Sequence, residues 1–429
     1  MKRCLLPYDA GRRLVGAFSG FVVWSVGVVI AADPPHYVPA TAHRILPETT
    51  SEESGYFSLS ESRRLIHVGT AKYGENSFLV EFDPRTSRQR VVLDTHQVCG
   101  LKATGYAAQA KLHTRNFVGP SGKVYVGSKQ GYRKEGDISE YPGGYVMVYD
   151  PGSGRAENLG MPMGGQGVID VVADEQRSLL YVVTCEEQHW MIGGLSGGRY
   201  RELGPLLTPY ATTLVDSRGR ASAITKDFQL AQYDPASEKV STRPVLIEGR
   251  RWTRADGSAI PTWQLDPDRR HAWLILMNDP TLLRIDLESR GEHVTAERRG
   301  KMLEGKNPDS RCALTVHRDG NIYALVRIDN TTGFGSGYLH HLVRYVTVTR
   351  KHEDLGVLQV SNPDYFDWSA DSEGKQKPHT HGFHRLPDGT LTPLHAHMAL
   401  LAAQDGTLYA TVLYPFTLLQ IDKYKTPKG

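Results

Sequence analysis

The chain has 429 residues, 40% of them hydrophobic and 23% charged, with 43 glycines and 24 prolines. That balance is globular and excludes a disordered, fibrous or collagen-like chain. A formal net charge of only +3 gives no electrostatic basis for binding nucleic acid.

At the N-terminus, Lys2, Arg3, Arg12 and Arg13 precede the apolar run LVGAFSGFVVWSVGVVIAA, which ends in small residues. This predicts a secretory signal over residues 1–32, cleaved near Ala31 or Ala32, and export to the periplasm or the exterior. A retained membrane anchor is the alternative, because the run is slightly long for a signal core. Cleavage removes the four basic residues and Asp9, leaving a mature chain of zero formal charge.

From there one unit recurs seven times. The strand pairs are RLIHVGT with FLVEFDP, KVYVGS with YVMVYDP, LLYVVT with WMIGGLSGG, and ASAITKD with QLAQYDP. AWLILMN with LLRIDLESRG, NIYALVR with HLVRYVTVT, and TLYATVL with LLQIDKY complete the series. Apolar and β-branched residues fill each pair, and the breaks fall at Gly, Pro, Asp and Ser. Spacings from about forty residues upward match the four-strand repeat of a β-propeller. The expected fold is all-β, a single seven-bladed β-propeller over residues 33–429 whose closed ring hides most sheet edges. Residues 359–390, which include NPDYFDWSADSEGKQKPHTHGFH, lack strand alternation and are expected to form a surface loop.

Cys99, Cys185 and Cys312 follow the signal, too few and too odd in number for a disulfide framework. Cys185 and His189 have a spacing that offers two zinc ligands, although a buried thiol beside a surface histidine is the simpler reading.

The repeat also sets a register. In a blade the strand before the turn is innermost, so equivalent residues gather at one end of a central channel. Twelve residues before the second-strand anchor stand Gly55, His113, Ile169, Tyr210, Pro261, Arg311 and His397. His113, Tyr210, Arg311 and His397 are therefore expected to share a pocket. Lys111 and Arg115 flank His113 at strand spacing, which places all three on one side. With Asn116 and His397 they are expected to bind substrate. Tyr132 returns to the same rim. His395 and His397 form a pair suited to a divalent metal such as manganese, calcium or zinc, and no organic cofactor is expected. His379, His381 and His384 are further metal candidates.

Histidine and tyrosine transfer protons, and arginine takes a carboxylate in bidentate fashion. Such a set suits removal of the C5 proton of a uronic acid. That reaction requires a cation on the carboxylate, a base at C5 and an acid for the leaving O4. Acid–base catalysis contributes about 10²- to 10⁴-fold, so stabilisation of the carbanion-like state must supply much of the remainder. A glycoside hydrolase would require two carboxylates, whereas Asp170 alone lies beside the register. A calcium-dependent lactonase of this shape would require carboxylate and Asn ligands at the channel, and the register lacks them.

The segment AQAKLHTRNFVGPSGKVYVGSKQGY, Ala108 to Tyr132, resembles the corresponding blade of propeller-type polysaccharide lyases, the ulvan lyases most nearly and the oligogalacturonate lyases more distantly. The resemblance implies that His113 acts on the sugar with tyrosine and arginine partners. A second catalytic histidine of the ulvan lyases has no counterpart, since Tyr132 and Arg133 occupy its region. The oligogalacturonate lyases resemble the chain through a manganese-binding HxH pair, matched by His395 and His397. The expected activity is that of an exported polysaccharide lyase that cleaves a uronic-acid-containing polysaccharide by β-elimination. His113 with Tyr210 or Tyr132 would serve as acid and base, and Arg311 would hold the carboxylate. The expected partner is an acidic polysaccharide or oligosaccharide, and the protein is expected to be a monomer. The alternative is a non-catalytic propeller that binds a glycan or another partner.

Overall fold

The computed structural model describes residues 33–51, 57–254, 261–361, 382–396 and 398–422. Among these the regular structure is nearly all β. Beside two single 3-10 turns, Pro47–Thr49 and Gly105–Ala107, stands the short α-helix Thr95–Cys99, started by Asp94, whose carboxylate accepts from Gln97 N at 3.0 Å. No helix among the described residues is long and apolar enough to cross a membrane.

All seven strand pairs read from the sequence are antiparallel pairs. They are Leu65–Gly69 with Phe78–Asp83, Val124–Lys129 with Val146–Asp150, Leu179–Thr184 with Trp190–Gly194, and Ala221–Ile224 with Gln229–Asp234. The others are His271–Leu276 with Thr281–Asp286, Ile322–Asp329 with Tyr338–Val346, and Leu408–Val412 with Thr417–Ile421. Each gains a strand on either side, making seven consecutive four-stranded meanders. The central strands are apolar on both faces because both faces are covered, as in Val124–Lys129 and Leu179–Thr184.

What covers them is the neighbouring meander. Leu79 and Leu93 of the first pack on Val124 and Val126 of the second. Val146 and Val148 then meet Val171 and Leu180 of the third. The same pattern continues around the chain, and Phe416 and Leu418 of the seventh return to Ile66 and Phe82 of the first. The first strands follow suit. Leu59–Ser62 touches Phe117–Val118 of the second meander on one side and Leu400–Ala402 of the seventh on the other.

The seventh meander takes its fourth strand from the far end of the chain. Tyr37–Arg44 pairs antiparallel with Thr417–Ile421 and parallel with Lys351–Ser361 of the sixth meander. Where it enters, Gly356 has φ +119°, and a Cβ there would lie 2.5 Å from the His36 carbonyl oxygen. Only glycine fits both demands.

The expected surface loop over 359–390 needs correction at both ends. The sixth meander's last strand runs on to Ser361, and Phe383–Arg385 pairs with Leu391–Pro393 as a hairpin. Phe383 and Leu386 are buried against the sixth and seventh meanders, an apolar anchor that the polar composition around it hid. Residues 362–381 lie outside the described residues.

Candidate functional site

His113 sits where the first strand of the second meander is interrupted, between Lys111–Leu112 and Phe117–Val118. Its ring is buried, edge-on to Phe57 with centroids 5.1 Å apart, and 6.3 Å from the ring of Tyr210. Phe57 also meets Tyr210 at 5.4 Å. Tyr210 has left-handed backbone, φ +58°, in the turn that leads into Leu214–Val215, and its side chain is 39% exposed. Two register positions far apart in sequence thus share one aromatic group.

Their protonation states are displaced in opposite directions. Burial, then the charges of Lys129 and Lys111, push His113 well below the ordinary imidazole value. It is neutral near pH 7 and able to accept a proton. Burial pushes the Tyr210 phenol up, keeping it a donor. Lys129 Nζ donates to Cys185 Sγ at 2.8 Å and lies 3.5 Å from Glu186 Oε1. Burial opposes the Lys129 charge, but the hydrogen bond to Cys185 and the Glu186 carboxylate favour it, and the ammonium is held above its usual value. Burial also raises Cys185 against the pull of Lys129, so the sulfur stays a thiol.

Cations surround this pair. Lys111 Nζ lies between two rings, 4.5 Å from the centroid of Tyr73 and 4.2 Å from that of Tyr132. Tyr132 is 59% exposed, so this aromatic clamp faces solvent. Arg311 is fixed by Asp309, with Nε to Oδ2 at 3.1 Å, and its Nη1 lies 3.6 Å from Met398 Sδ. Its charge also acts on the Tyr210 phenol.

Other expected members are placed differently. Arg115 reaches deeper than alternation implies, because residues 113–116 do not form a continuous strand. Its Nη1 donates to the Trp263 carbonyl at 2.8 Å. The Asn116 carboxamide accepts from Ser58 Oγ at 2.5 Å and donates to the His67 carbonyl at 3.3 Å, which makes it a tie between two meanders. Gly55, His397, His379 and His381 lie outside the described residues, so the expected His395–His397 metal pair is only half described. His384 falls in the hairpin strand Phe383–Arg385. Cys185 and His189 have separate partners. The thiol takes Lys129, while the imidazole sits 2.7 Å from Glu202 Oε1 and 3.0 Å from Glu187 Oε2.

Sequence reasoning missed Phe57, Lys129, Cys185 and Glu186 as members of this neighbourhood. It also missed a cavity of about 720 Å³, which neither His113 nor Tyr210 lines. A small gap bounded by Phe57, Arg115, Tyr210, Thr212 and Cys312 lies between the two. The larger space is therefore separate from the His113–Tyr210 pair. Carboxylates do line it, but those at its rim are engaged. Asp174 holds Arg177, Asp216 holds Arg220, and Glu175 accepts from Ser121 and Tyr125. Among the described residues, the group with metal-ligand spacing is Asp266, Asp268 and His271, where His271 Nδ1 already lies 2.6 Å from Asp268 Oδ2.

Asp170 is the exception in that cavity. It is 1% exposed, its Oδ2 accepts from Thr213 N at 2.7 Å, and its Oδ1 has no hydrogen-bond partner among the described residues. Burial outweighs both Arg115 and the Thr213 bond and pushes the carboxyl up to about 7 from 3.8. A raised carboxyl favours the folded state in acid, and that advantage is lost as pH rises from the unfolded value through about 7. Asp170→Asn is thus expected to stabilise the protein above neutral pH, by at most about 4 kcal/mol, and much less in acid. Denaturant melts of both proteins on each side of neutrality measure this. An equal effect at both pH values would mean that the carboxyl titrates normally.

No protein-family model matches the chain, and no curated protein matches it. Among solved structures it is similar to the crystal structure of the extracellular domain of the hybrid two component system BT3049 from B. thetaiotaomicron, at 12% identity and a TM-score of 0.49. The alignment covers 91% of this chain and spans 42% of the length of that one.

Proposed function

We propose that the chain is an exported seven-bladed β-propeller that cleaves a uronic-acid-containing polysaccharide by β-elimination at the mouth holding His113 and Tyr210. The propeller reading is supported by seven meanders packed in series, with the seventh against the first. The catalytic reading rests on one observation above all. A neutral histidine and a protonated tyrosine from different meanders lie 6.3 Å apart beside fixed cations.

In this mechanism His113 takes the C5 proton, the C4–O4 bond breaks as the C4–C5 double bond forms, and Tyr210 gives its proton to O4. The products are a histidinium, a tyrosinate, an unsaturated uronate and a shortened chain. Proton return through solvent restores the pair. Negative charge builds on the substrate carboxylate as C5 loses its proton, and in this reading Lys129 and Arg311 answer it. Lys129 has a second effect. It destabilises the histidinium, so the captured proton leaves readily. The Tyr73–Lys111–Tyr132 clamp offers a stacking face beside a cation, a surface matched to an acidic sugar.

The test is incubation of the purified protein with ulvan, pectate and glycosaminoglycans while the ultraviolet absorbance of the unsaturated product is followed. Polymer binding without any such absorbance would replace this reading with the glycan-binding one. Lys129→Met carries a sharper expectation. Losing a like charge raises the His113 pKa, so the acid limb of the kcat/KM profile moves to higher pH, and KM for the polymer rises. Lys129→Arg should keep both near wild type. An unmoved acid limb in Lys129→Met would remove His113 from the role of base.

A further inference from the structure

We propose that the cavity lined by Arg115 and Asp170 is a second ligand site, distinct from the His113–Tyr210 group, which binds a zwitterion of the α-amino-acid type between those two residues. The cavity of about 720 Å³ has the size of a small-molecule site. Its rim charges are paired, as described above, and Arg269 donates to the carbonyls of Val215 and Asp216. Deeper in, the pattern changes. Arg115, in the break between Lys111–Leu112 and Phe117–Val118, forms an isolated parallel bridge with Asp170 and carries the opposite charge, yet the two form no ion pair among the described residues. Each is turned to a single backbone group of another meander, Trp263 for the guanidinium and Thr213 for the carboxyl. This leaves one carboxyl oxygen buried without a partner at the cavity wall, and the Ser60 hydroxyl on the first meander is in the same position.

The chemistry selects the ligand by sign. A simple cation would meet Arg115, and a simple anion would meet Asp170. A molecule with an ammonium and a carboxylate a few bonds apart satisfies both. The remaining wall includes Leu59, Val172, Leu214, Val215 and Leu400, so a large apolar side chain is favoured over glycine. Because burial holds Asp170 partly protonated at neutrality, an ammonium ligand that favours its carboxylate expels a proton. The other ionisable groups facing the space are the rim pairs, Glu61, Arg269 and Cys312, the last a thiol pushed up to about 11.

Isothermal calorimetry on the purified protein tests this with L-leucine and L-phenylalanine, alongside isoamylamine and isocaproate as single-charge analogues of leucine. An amino acid should bind at least about tenfold more tightly than either analogue, with a heat that varies with buffer ionisation enthalpy as a proton is released. Asp170→Asn and Arg115→Met should each abolish binding, whereas His113→Ala should retain it. Asp170→Asn is expected to fold at least as stably as wild type, so its lost binding would not reflect a lost fold. No binding by any of the standard amino acids would overturn the proposal, as would equal binding of the amine or the acid alone, or undiminished binding by both cavity variants. Each of these outcomes is separate from the lyase assay, which reads the His113–Tyr210 group.

Discussion

His113→Ala is expected to lower kcat/KM for uronate polymer cleavage by about 10²- to 10⁴-fold while the polymer still binds. Burial keeps the imidazole neutral, and in the proposed mechanism it is the proton acceptor, so its loss would remove chemistry rather than affinity and KM should change little. Tyr210→Phe should lose rate comparably through failure to protonate O4, with the ring still packed on Phe57. The two variants differ in their pH profiles. His113→Ala should lose the acid limb, whereas Tyr210→Phe should lose the alkaline one. Stability provides an independent check. A histidine held below its ordinary 6.5 favours the folded state above that value and costs stability as pH falls through it, because the unfolded chain takes up the proton first. The alanine variant should therefore lose less stability than wild type on acidification below that point. A variant with full lyase activity would remove the imidazole from the role of base, and an identical acid sensitivity would show that it is not held neutral by burial.

The strand pairs were legible because each is a run of apolar and β-branched residues closed by an Asp or Gly turn, a pattern that survives in any tertiary setting. The inner strands were not. Several, such as Leu214–Val215 and Leu314–Val316, are two or three residues long, so their places had to be counted back from the strand that follows. Counting back succeeded where turn lengths are alike, and it brought His113 and Tyr210 into one neighbourhood. At Ile169 it found a buried apolar residue that packs in the same cluster as Phe57. It went astray at Arg115, because alternation requires a continuous strand and the chain bends through residues 113–116. Lys129 ends a second strand, outside the counted position, and only the packing of the second meander on the third brings it to Cys185. Asp170 was visible as a lone carboxylate beside the register. Its significance lies in burial and in an unanswered oxygen, which no spacing encodes.

Ala40→Asp or Ala42→Asp is expected to destabilise the whole protein by about 4 kcal/mol or more and to make it associate as it unfolds. Both alanines are nearly inaccessible, in the strand Tyr37–Arg44 that completes the seventh meander and also pairs with the sixth. A carboxylate at either place is buried in the apolar cluster with Leu342, Leu358 and Leu419, where nothing neutralises it. Release of the strand would uncover the edges of Thr417–Ile421 and Lys351–Ser361 together, the two edges most available for pairing with another molecule. Gly356→Ala should act on the same closure more mildly, at about 1–3 kcal/mol, because it strains the backbone where His36 enters. Lys351→Ala, exposed on the same strand, should stay within about 0.5 kcal/mol of wild type. Denaturant melts followed with light scattering separate these outcomes. Because the proposed signal cleavage near Ala31 or Ala32 leaves Tyr37–Arg44 intact, the processed protein keeps its clasp. Arg311 and Met398 belong to the two meanders that the clasp joins, so loosening it should also weaken lyase activity before the fold is lost. An Ala40→Asp protein with a wild-type melt would mean that the ring is held by its apolar seams alone.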